Sequence, residues 1–432
     1  MSIPTNRTLS SRSSLLPPAD LRRPALLGAV LLVASWAFIC FTPLFGKWLF
    51  GDARFYENWG SWIAAHQVPY RDFNLEYPPG AIPTFVAPVY MRKIFGYHGF
   101  YFTWLRIEIL VFSLLALVAM LYVLARLGVS RRRAYAVCVV AGISPAVLGP
   151  ITYFHFDYWP SAFAVGAVAA LVHRRGVLAC ALSAAGAAAK VYPVLLIPIA
   201  LYELWRRGRW RAVAAGVGAA LAVLAAAVGP FLIWAPHGLT WALNREQVRP
   251  LEVESIGAGF FMVAHALTGA HIHVVLSGGG SHGIAGGTAK AVSTALSVAM
   301  LAALVAIYAR YFRSRHTNED LLVACASVVV AYIVFSKVFS PQYLLWLAPL
   351  VPLLGGRRGL RASALLLVIL AVTQIFEPYR YAQYFRQSTT WIPYVVFLRN
   401  MLVVGLLGLL VWPQRSKGDA EQLDAARAPG LA

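Results

Sequence analysis

Long apolar runs, each closed off by arginines, recur along nearly the whole chain, and they constrain its fold more than any single motif. Ala25 to Phe45, Phe100 to Leu127, Ala212 to Trp234 and Thr288 to Arg310 are the clearest. At about 1.5 Å per residue, roughly 20 helical residues cross the 30 Å hydrocarbon core of a bilayer. Lipid offers no partner for backbone N–H and C=O groups, so such runs must be helices that satisfy those groups internally. The expected class is therefore all-α, a polytopic membrane protein.

Composition agrees: 59% of residues are hydrophobic and 12% charged, outside the range of soluble domains. The net charge of +20 raises the question of nucleic acid. Its lysines and arginines, however, form short clusters between apolar runs, as in cytoplasmic connectors, so no nucleic-acid partner is expected. Cys40, Cys138, Cys180 and Cys325 all fall inside apolar runs with no CxxC or Cys/His spacing, which reads as neither disulfide nor zinc.

The basic clusters set the topology. They are Arg22-Arg23, Arg126 with Arg131 to Arg133, Arg174-Arg175, Arg206 to Arg211, Arg310 to Arg315, Arg357 to Arg361, and Arg415 with Lys417. An even number of crossings must separate successive cytoplasmic clusters, which leads to about 12 helices with both termini cytoplasmic in the plasma (inner) membrane. Ala25 to Phe45 is too long for a signal h-region and lacks a small-residue cleavage site, so it reads as a retained helix.

Residues 1–24 then form a cytoplasmic leader, 25–412 the membrane domain, and 413–432 a disordered cytoplasmic tail. Within the domain, 46–99 and 235–287 are the large outer segments. Ala81 to Tyr90, too short to span, reads as an interfacial or re-entrant helix. Val177 to Ala189 and Val191 to Leu204 form a tight pair around "AAAKVYP", and Tyr343 to Leu354 is an inward crossing. "SGGGSHGIAGG" reads as a flexible loop.

With that topology the acids sort by side. Asp52, Glu57, Asp72 and Glu76 crowd into the first outer segment, and Asp52 and Glu76 sit among Phe50, Phe55, Tyr56, Trp59, Trp62, Phe73 and Tyr77. A carboxylate held by aromatics near a bilayer surface is costly unless hydrogen-bonded or used. Asp157, Glu252, Glu254 and Glu377 also face outward; the bland reading, that outer loops merely lack Lys and Arg, suits Glu57 and Glu246 best. Three cations lie within or at the edge of the membrane: Lys190 at the break in "AAAKVYP", Lys337 in "FSKVFSPQY", and Arg399 inside the last run. Singly each reads as snorkelling or paired; together they favour an anion-binding cavity. "NREQVRPLEVES" has two readings, an amphipathic helix lying on the membrane or a segment presenting Arg249 to a phosphate and a Glu to a sugar hydroxyl, with Glu254 the substrate-binding candidate.

Carboxylates at the outer surface beside membrane-edge cations suit glycosyl transfer from a polyprenyl-phosphate sugar. The departing phosphate needs cations to absorb its charge, and the acceptor hydroxyl needs one general base. A transporter or flippase of a lipid-linked saccharide is the competing class, for which only the break at Lys190 speaks, since no internal repeat is present. A non-catalytic scaffold for polymer biogenesis is a third.

The same segments carry a resemblance. "GDARFYENWGSWIAAHQVPYRDFNLEYPPG", "YFHFDYWPSAFAV", "AAGAAAKVYPVLLIPIALY", "REQVRPLEVES" and "KVFSPQYLLWLAPL", in this order, resemble GT-C glycosyltransferases, and most of all glycosyltransferase family 87, which includes mannosyl- and arabinofuranosyltransferases. The resemblance implies a GT-C fold with amphipathic helices in the first outer loop and a polyprenyl-phosphate donor. It implies inverting transfer of mannose or arabinofuranose to a glycolipid or glycan acceptor on the extracytoplasmic face. It makes Asp52 the catalytic base, places Lys190 and Lys337 near the donor phosphate or sugar, His155 and Asp157 near the second loop of the cavity, and Gln342 and Tyr343 at its rim. Many GT-C enzymes carry a second acid beside the catalytic Asp. Here Gly51 precedes Asp52 and Arg54 follows two later, which puts a carboxylate-bridged divalent metal at that spot in doubt and leaves it the one cofactor still in question. Glu76 and Tyr77 remain candidate substrate-binding neighbours of Asp52.

Overall fold

The computed structural model describes residues 19–42, 52–96, 100–278, 280–387 and 389–412. Most of the expected leader, the opening of the first outer segment and the expected tail lie outside them.

Helix α1 (Ala19–Phe41) begins inside the expected leader and is followed by α2 (Ala53–Ala64), α3 (Ile82–Ile94) and α4 (Tyr101–Leu127). Next come α5 (Arg131–Leu148), the single turn α6 (Ile151–Phe154), α7 (Tyr158–Val172), α8 (Gly176–Ala189), α9 (Ile197–Trp234) and α10 (Pro236–Val248). The chain ends with α11 (Ile256–Thr268), α12 (Gly287–Phe312), α13 (Asn318–Phe335), α14 (Gly356–Phe376), the short α15 (Tyr381–Phe385) and α16 (Ile392–Val411). Among the described residues 7 helices are long and apolar enough to cross a membrane: α1, α4, α9 (with the turn before it), α12, α13, α14 and α16. The apolar α7, α8 and α11 are shorter. This is an all-α membrane protein with one small sheet.

Local sequence explains the element ends. Gly128, with φ 58°, caps α4 in the left-handed conformation that a side chain disfavours. Ser130 caps α5 by accepting from the Arg133 amide, and Thr317 with Asp320 forms a capping box on α13. In the first outer segment α2 buries Ala53, Tyr56, Trp59 and Gly60, one face at helical spacing, against α3.

Three elements differ from expectation. Tyr343 to Leu354 is no α-helix but two 3₁₀ turns, Pro341–Trp346 and Val351–Leu353, because Pro341, Pro349 and Pro352 each withhold a backbone donor. The spans expected on either side of Arg209 are two arms of α9, bent where Arg209 adopts φ 51° and ψ −149°.

The glycine-rich run is the third difference: instead of a loop it forms an antiparallel hairpin, β2 (His273–Gly278) and β3 (Ser281–Ala285), with β3 also paired to β1 (Leu251–Glu252). Gly280 turns the hairpin at φ 78°, and a Cβ on Gly283 would stand 2.6 Å from Pro250 Cγ, so glycine is what lets β3 close on β1. Accordingly "LEVES" is no exposed amphipathic helix; Glu252 and Glu254 are buried.

The bundle has two polar ends. At one, the arginine clusters meet: Arg133 donates to the Leu353 carbonyl, Arg358 to the Trp412 carbonyl, and Arg206 to Glu203. The 3₁₀ segment leads from there to the opposite end, where Gln342, Tyr343 and Trp346 line a cavity.

Candidate functional site

That cavity has a volume of about 720 Å³, walled by the first outer segment, the α6 region, the break after α8, the β-hairpin and the α14–α15 connection. Two groups of side chains dominate it.

The first is built around Lys190. Helix α8 stops at Lys190, whose backbone is extended (φ −156°, ψ 128°), and Pro193 starts the turn that follows. The "YPPG" turn is pressed onto this helix end. A Cβ on Gly80 would lie 2.6 Å from the Ala188 backbone, and Trp159 Nε1 donates to the Gly80 carbonyl at 2.9 Å. Tyr70 Oη holds the Tyr77 carbonyl at 2.6 Å, so Tyr77 is fixed beside Lys190. The ammonium donates to Asp157 Oδ1 at 2.7 Å and lies 5.1 to 5.7 Å from the ring centres of Tyr343, Phe156, Trp346 and Tyr77. Asp157 is wholly buried and also accepts from Trp346 Nε1 at 2.6 Å. Trp346 is stacked between Tyr192 and Tyr343, at 4.0 and 4.1 Å. A buried pair is tolerable only with such additional bonds.

The second group contains carboxylates. Asp52 precedes the first turn of α2, and its Oδ2 lies 3.5 Å from His155 Nε2. His155 Nδ1 is 2.9 Å from the Ile151 carbonyl, which fixes Nδ1 as the donor. Nε2 thus attracts the carboxylate only as imidazolium. Burial opposes that charge, but the Asp52 hydrogen bond and charge, with Asp157, prevail and raise the His155 pKa above its ordinary value.

Glu252, Glu254 and Glu377 line the same cavity. Burial pushes Glu377 up to about 8 against the opposing charges of Arg399 and His155, with Glu252 and Asp52 adding to the rise. Glu254 is likewise raised well above the carboxylate range by burial and by Glu377. Arg249 Nη2 bonds Ser281 Oγ at 2.7 Å and lies 3.6 Å from Glu252 Oε1.

Of the residues singled out in the sequence, Asp52, Glu76, Tyr77, His155, Lys190, Arg249, Glu254, Gln342 and Tyr343 line this one cavity. Asp157 stands behind Lys190. Glu76 pairs with Arg245 at 3.5 Å. Lys337 and Arg399 are not among the lining residues. The Lys337 ammonium donates to the Gln247 and Arg249 carbonyls at 2.7 and 3.0 Å, tying the end of α10 to the α13 terminus. Arg399 is fully buried, bonds the Glu254 carbonyl at 3.0 Å and packs 4.0 Å from the Phe339 ring centre. Glu252, Glu377, Tyr192 and Trp346 were not singled out; for Glu377 the signal was available in "EPYRYAQY", an acid followed by tyrosines as in the first outer segment.

The surroundings of Asp52 offer no second carboxylate within its own turn. Among the described residues, no group of three His, Cys, Asp or Glu is arranged to hold a metal ion. The donor set does not fit a carboxylate-bridged metal.

The model of glycosyltransferase family 87 matches residues 75–341, well over half of the chain. The chain belongs to glycosyltransferase family 87. No curated protein matches it. Family membership makes this a membrane glycosyltransferase of the GT-C kind, acting on a sugar donor and an acceptor. The matched stretch runs from Leu75, at the "YPPG" turn, to Pro341, at the 3₁₀ segment, and includes Lys190, His155 and the carboxyl wall up to Glu254.

Proposed function

We propose that this family 87 enzyme transfers a sugar, mannose or arabinofuranose, from a polyprenyl-phosphate donor to a lipid-linked or cell-envelope glycan acceptor. The reaction takes place on the extracytoplasmic face of the plasma membrane, with both chain termini cytoplasmic. The observation that carries the reading is that Asp52 with His155 and the ring-caged Lys190 face a single cavity.

In this reading Asp52 accepts the proton of the acceptor hydroxyl as the oxygen attacks the anomeric carbon from the side opposite the phosphate. The bond from that carbon to the phosphate oxygen breaks, its electron pair leaves with the phosphate, and the anomeric configuration inverts. Lys190, supported by Arg249, meets the growing negative charge of the leaving group, so no acid needs to protonate it. His155 orients the Asp52 carboxylate through its Nε2. Tyr77 and Tyr343 give the sugar apolar faces to stack on, with Trp346 backing Tyr343, while Gln342 and Glu76 offer hydrogen bonds at the rim. Asp157 balances Lys190 when no phosphate is bound. Holding both reactants in one cavity supplies the orientation that such a displacement requires.

The test is transfer by the purified full chain in proteoliposomes, using polyprenyl-phosphate mannose or arabinofuranose labelled in the sugar. The acceptor is a glycolipid extract from a strain lacking the protein. The expected result is label in the acceptor for one donor, abolished by Asp52→Asn. No transfer from either donor, or transfer indifferent to Asp52→Asn, contradicts the reading.

A further inference from the structure

The carboxyl wall of the cavity carries more hydrogen-bonding capacity than the fold consumes. Glu254 lines the cavity and is 3% exposed; among the described residues its Oε1 accepts no hydrogen bond and lies 3.7 Å from Arg399 Nη2. The Glu254 carbonyl, in contrast, is committed, accepting from both Arg399 Nη2 and Asn400 Nδ2, at 3.0 and 3.1 Å. Those two hydrogen bonds fix where the side chain starts. Glu377, at the end of α14, lines the same wall and is 8% exposed. Among the described residues the Glu377 carboxyl has no hydrogen-bond or ion-pair partner, and a buried carboxyl without one costs on the order of 1–3 kcal/mol, so its place in the wall suits a ligand that supplies the missing bond.

We infer that Glu254 and Glu377 form a subsite for a pair of neighbouring hydroxyls on a sugar ring, in the same cavity as Lys190. This rests on the glycosyltransferase reading and deepens it. The chemistry of the pair excludes an anion, since two carboxyl groups repel a phosphate. It matches a neutral diol, because two carboxyls that share one proton offer one donor and several acceptors. Burial and mutual repulsion hold a proton on the pair near neutrality. Arg399 behind Glu254 balances the remaining charge, and Arg249, Glu252, His155 and Asp52 are the other charged groups facing them. The same two hydroxyls exist on a donor sugar and on a glycan acceptor, and both sources share this chemistry.

The experiment separates them. The purified full chain in nanodiscs is given bare polyprenyl phosphate and its mannosyl and arabinofuranosyl forms, and binding is measured for wild type, Glu377→Ala and Glu377→Gln. Glu377→Gln keeps shape and a donor, and thermal melts check that each variant is folded. If the donor sugar occupies the subsite, wild type prefers one glycosylated lipid, and Glu377→Ala loses about tenfold or more of that preference while binding bare phosphate unchanged. Glu377→Gln loses less. If the acceptor occupies it, lipid preference is unchanged in Glu377→Ala, but the acceptor KM rises about tenfold while release of sugar to water persists.

Folded variants with unchanged sugar preference and unchanged acceptor KM overturn the subsite and leave the function standing. Wild-type protein that binds none of the lipids overturns the glycosyltransferase reading, and the subsite with it.

Discussion

The two polar ends of this bundle bury carboxylates in opposite ways. At the arginine-rich end, Glu203 is saturated: Oε1 accepts from Arg206 at 2.9 Å and from Tyr311 at 2.8 Å, and Oε2 pairs with Arg207 at 2.9 Å. Glu319 accepts the Gly355 amide on both oxygens, at 3.1 and 2.9 Å. At the cavity end, Asp157 Oδ2 and Glu254 Oε1 are buried without a hydrogen bond among the described residues, and Asp52 has His155 at 3.5 Å. Saturated carboxylates hold helices together; carboxylates with spare capacity beside a cavity are held ready for a ligand. The residue types are the same, and the surroundings decide the role.

The largest expected effect is at Asp52. Asp52→Asn keeps the shape and removes the basicity, and should lower transfer by about 10²–10⁴-fold in a chain that still folds, its melting temperature falling only by what the His155 pairing contributes. Glu203→Gln is its mirror: it should leave kcat intact and cost about 1–3 kcal/mol in stability, measured by thermal or denaturant unfolding. If the two variants exchange phenotypes, the contrast between the ends fails.

Lys190→Met joins both effects. It strips the buried Asp157 of its cation, which should cost about 3–5 kcal/mol, and it weakens donor binding. Adding Asp157→Asn should restore much of the stability but none of the donor affinity. Restoration of both would make Lys190 a structural residue like Arg206. For Lys337→Met, which removes two bonds to backbone carbonyls, a loss of about 1–3 kcal/mol with donor KM little changed is expected.

The smallest effect is on pH dependence. His155 binds its proton more tightly in the folded chain than in the unfolded one, where the ordinary value is about 6.5. Its contribution to stability is therefore full below that value and fades as pH rises through the raised folded value. The melting-temperature advantage of wild type over His155→Gln should shrink on going from about pH 6 to about pH 9. An advantage that grows with pH contradicts an imidazolium facing Asp52.

Much of this was legible in the sequence, and the exceptions have physical reasons. Apolar runs and arginine clusters mark the long helices, because a lipid environment leaves few alternatives for a backbone. Lys190 was identifiable as a cation at a helix break from "AAAKVYP" alone, since Pro193 forbids continuation of α8. Lys337 and Arg399 share its positive charge and its place among apolar runs, but which way each side chain turns is a property of packing. Lys337 reaches back to the end of α10, and Arg399 turns to the Glu254 carbonyl. The "SGGGSH" hairpin was missed because its partner strand, Leu251–Glu252, lies some 30 residues away and only tertiary pairing orders it.

The most direct measurement is a structure of the full chain bound to a non-transferable polyprenyl-phosphate sugar analogue. The account predicts the phosphate against Lys190 within the ring cage and the anomeric carbon turned toward Asp52. A phosphate bound away from Lys190, or a sugar whose anomeric carbon lies out of reach of a hydroxyl held by Asp52, contradicts it.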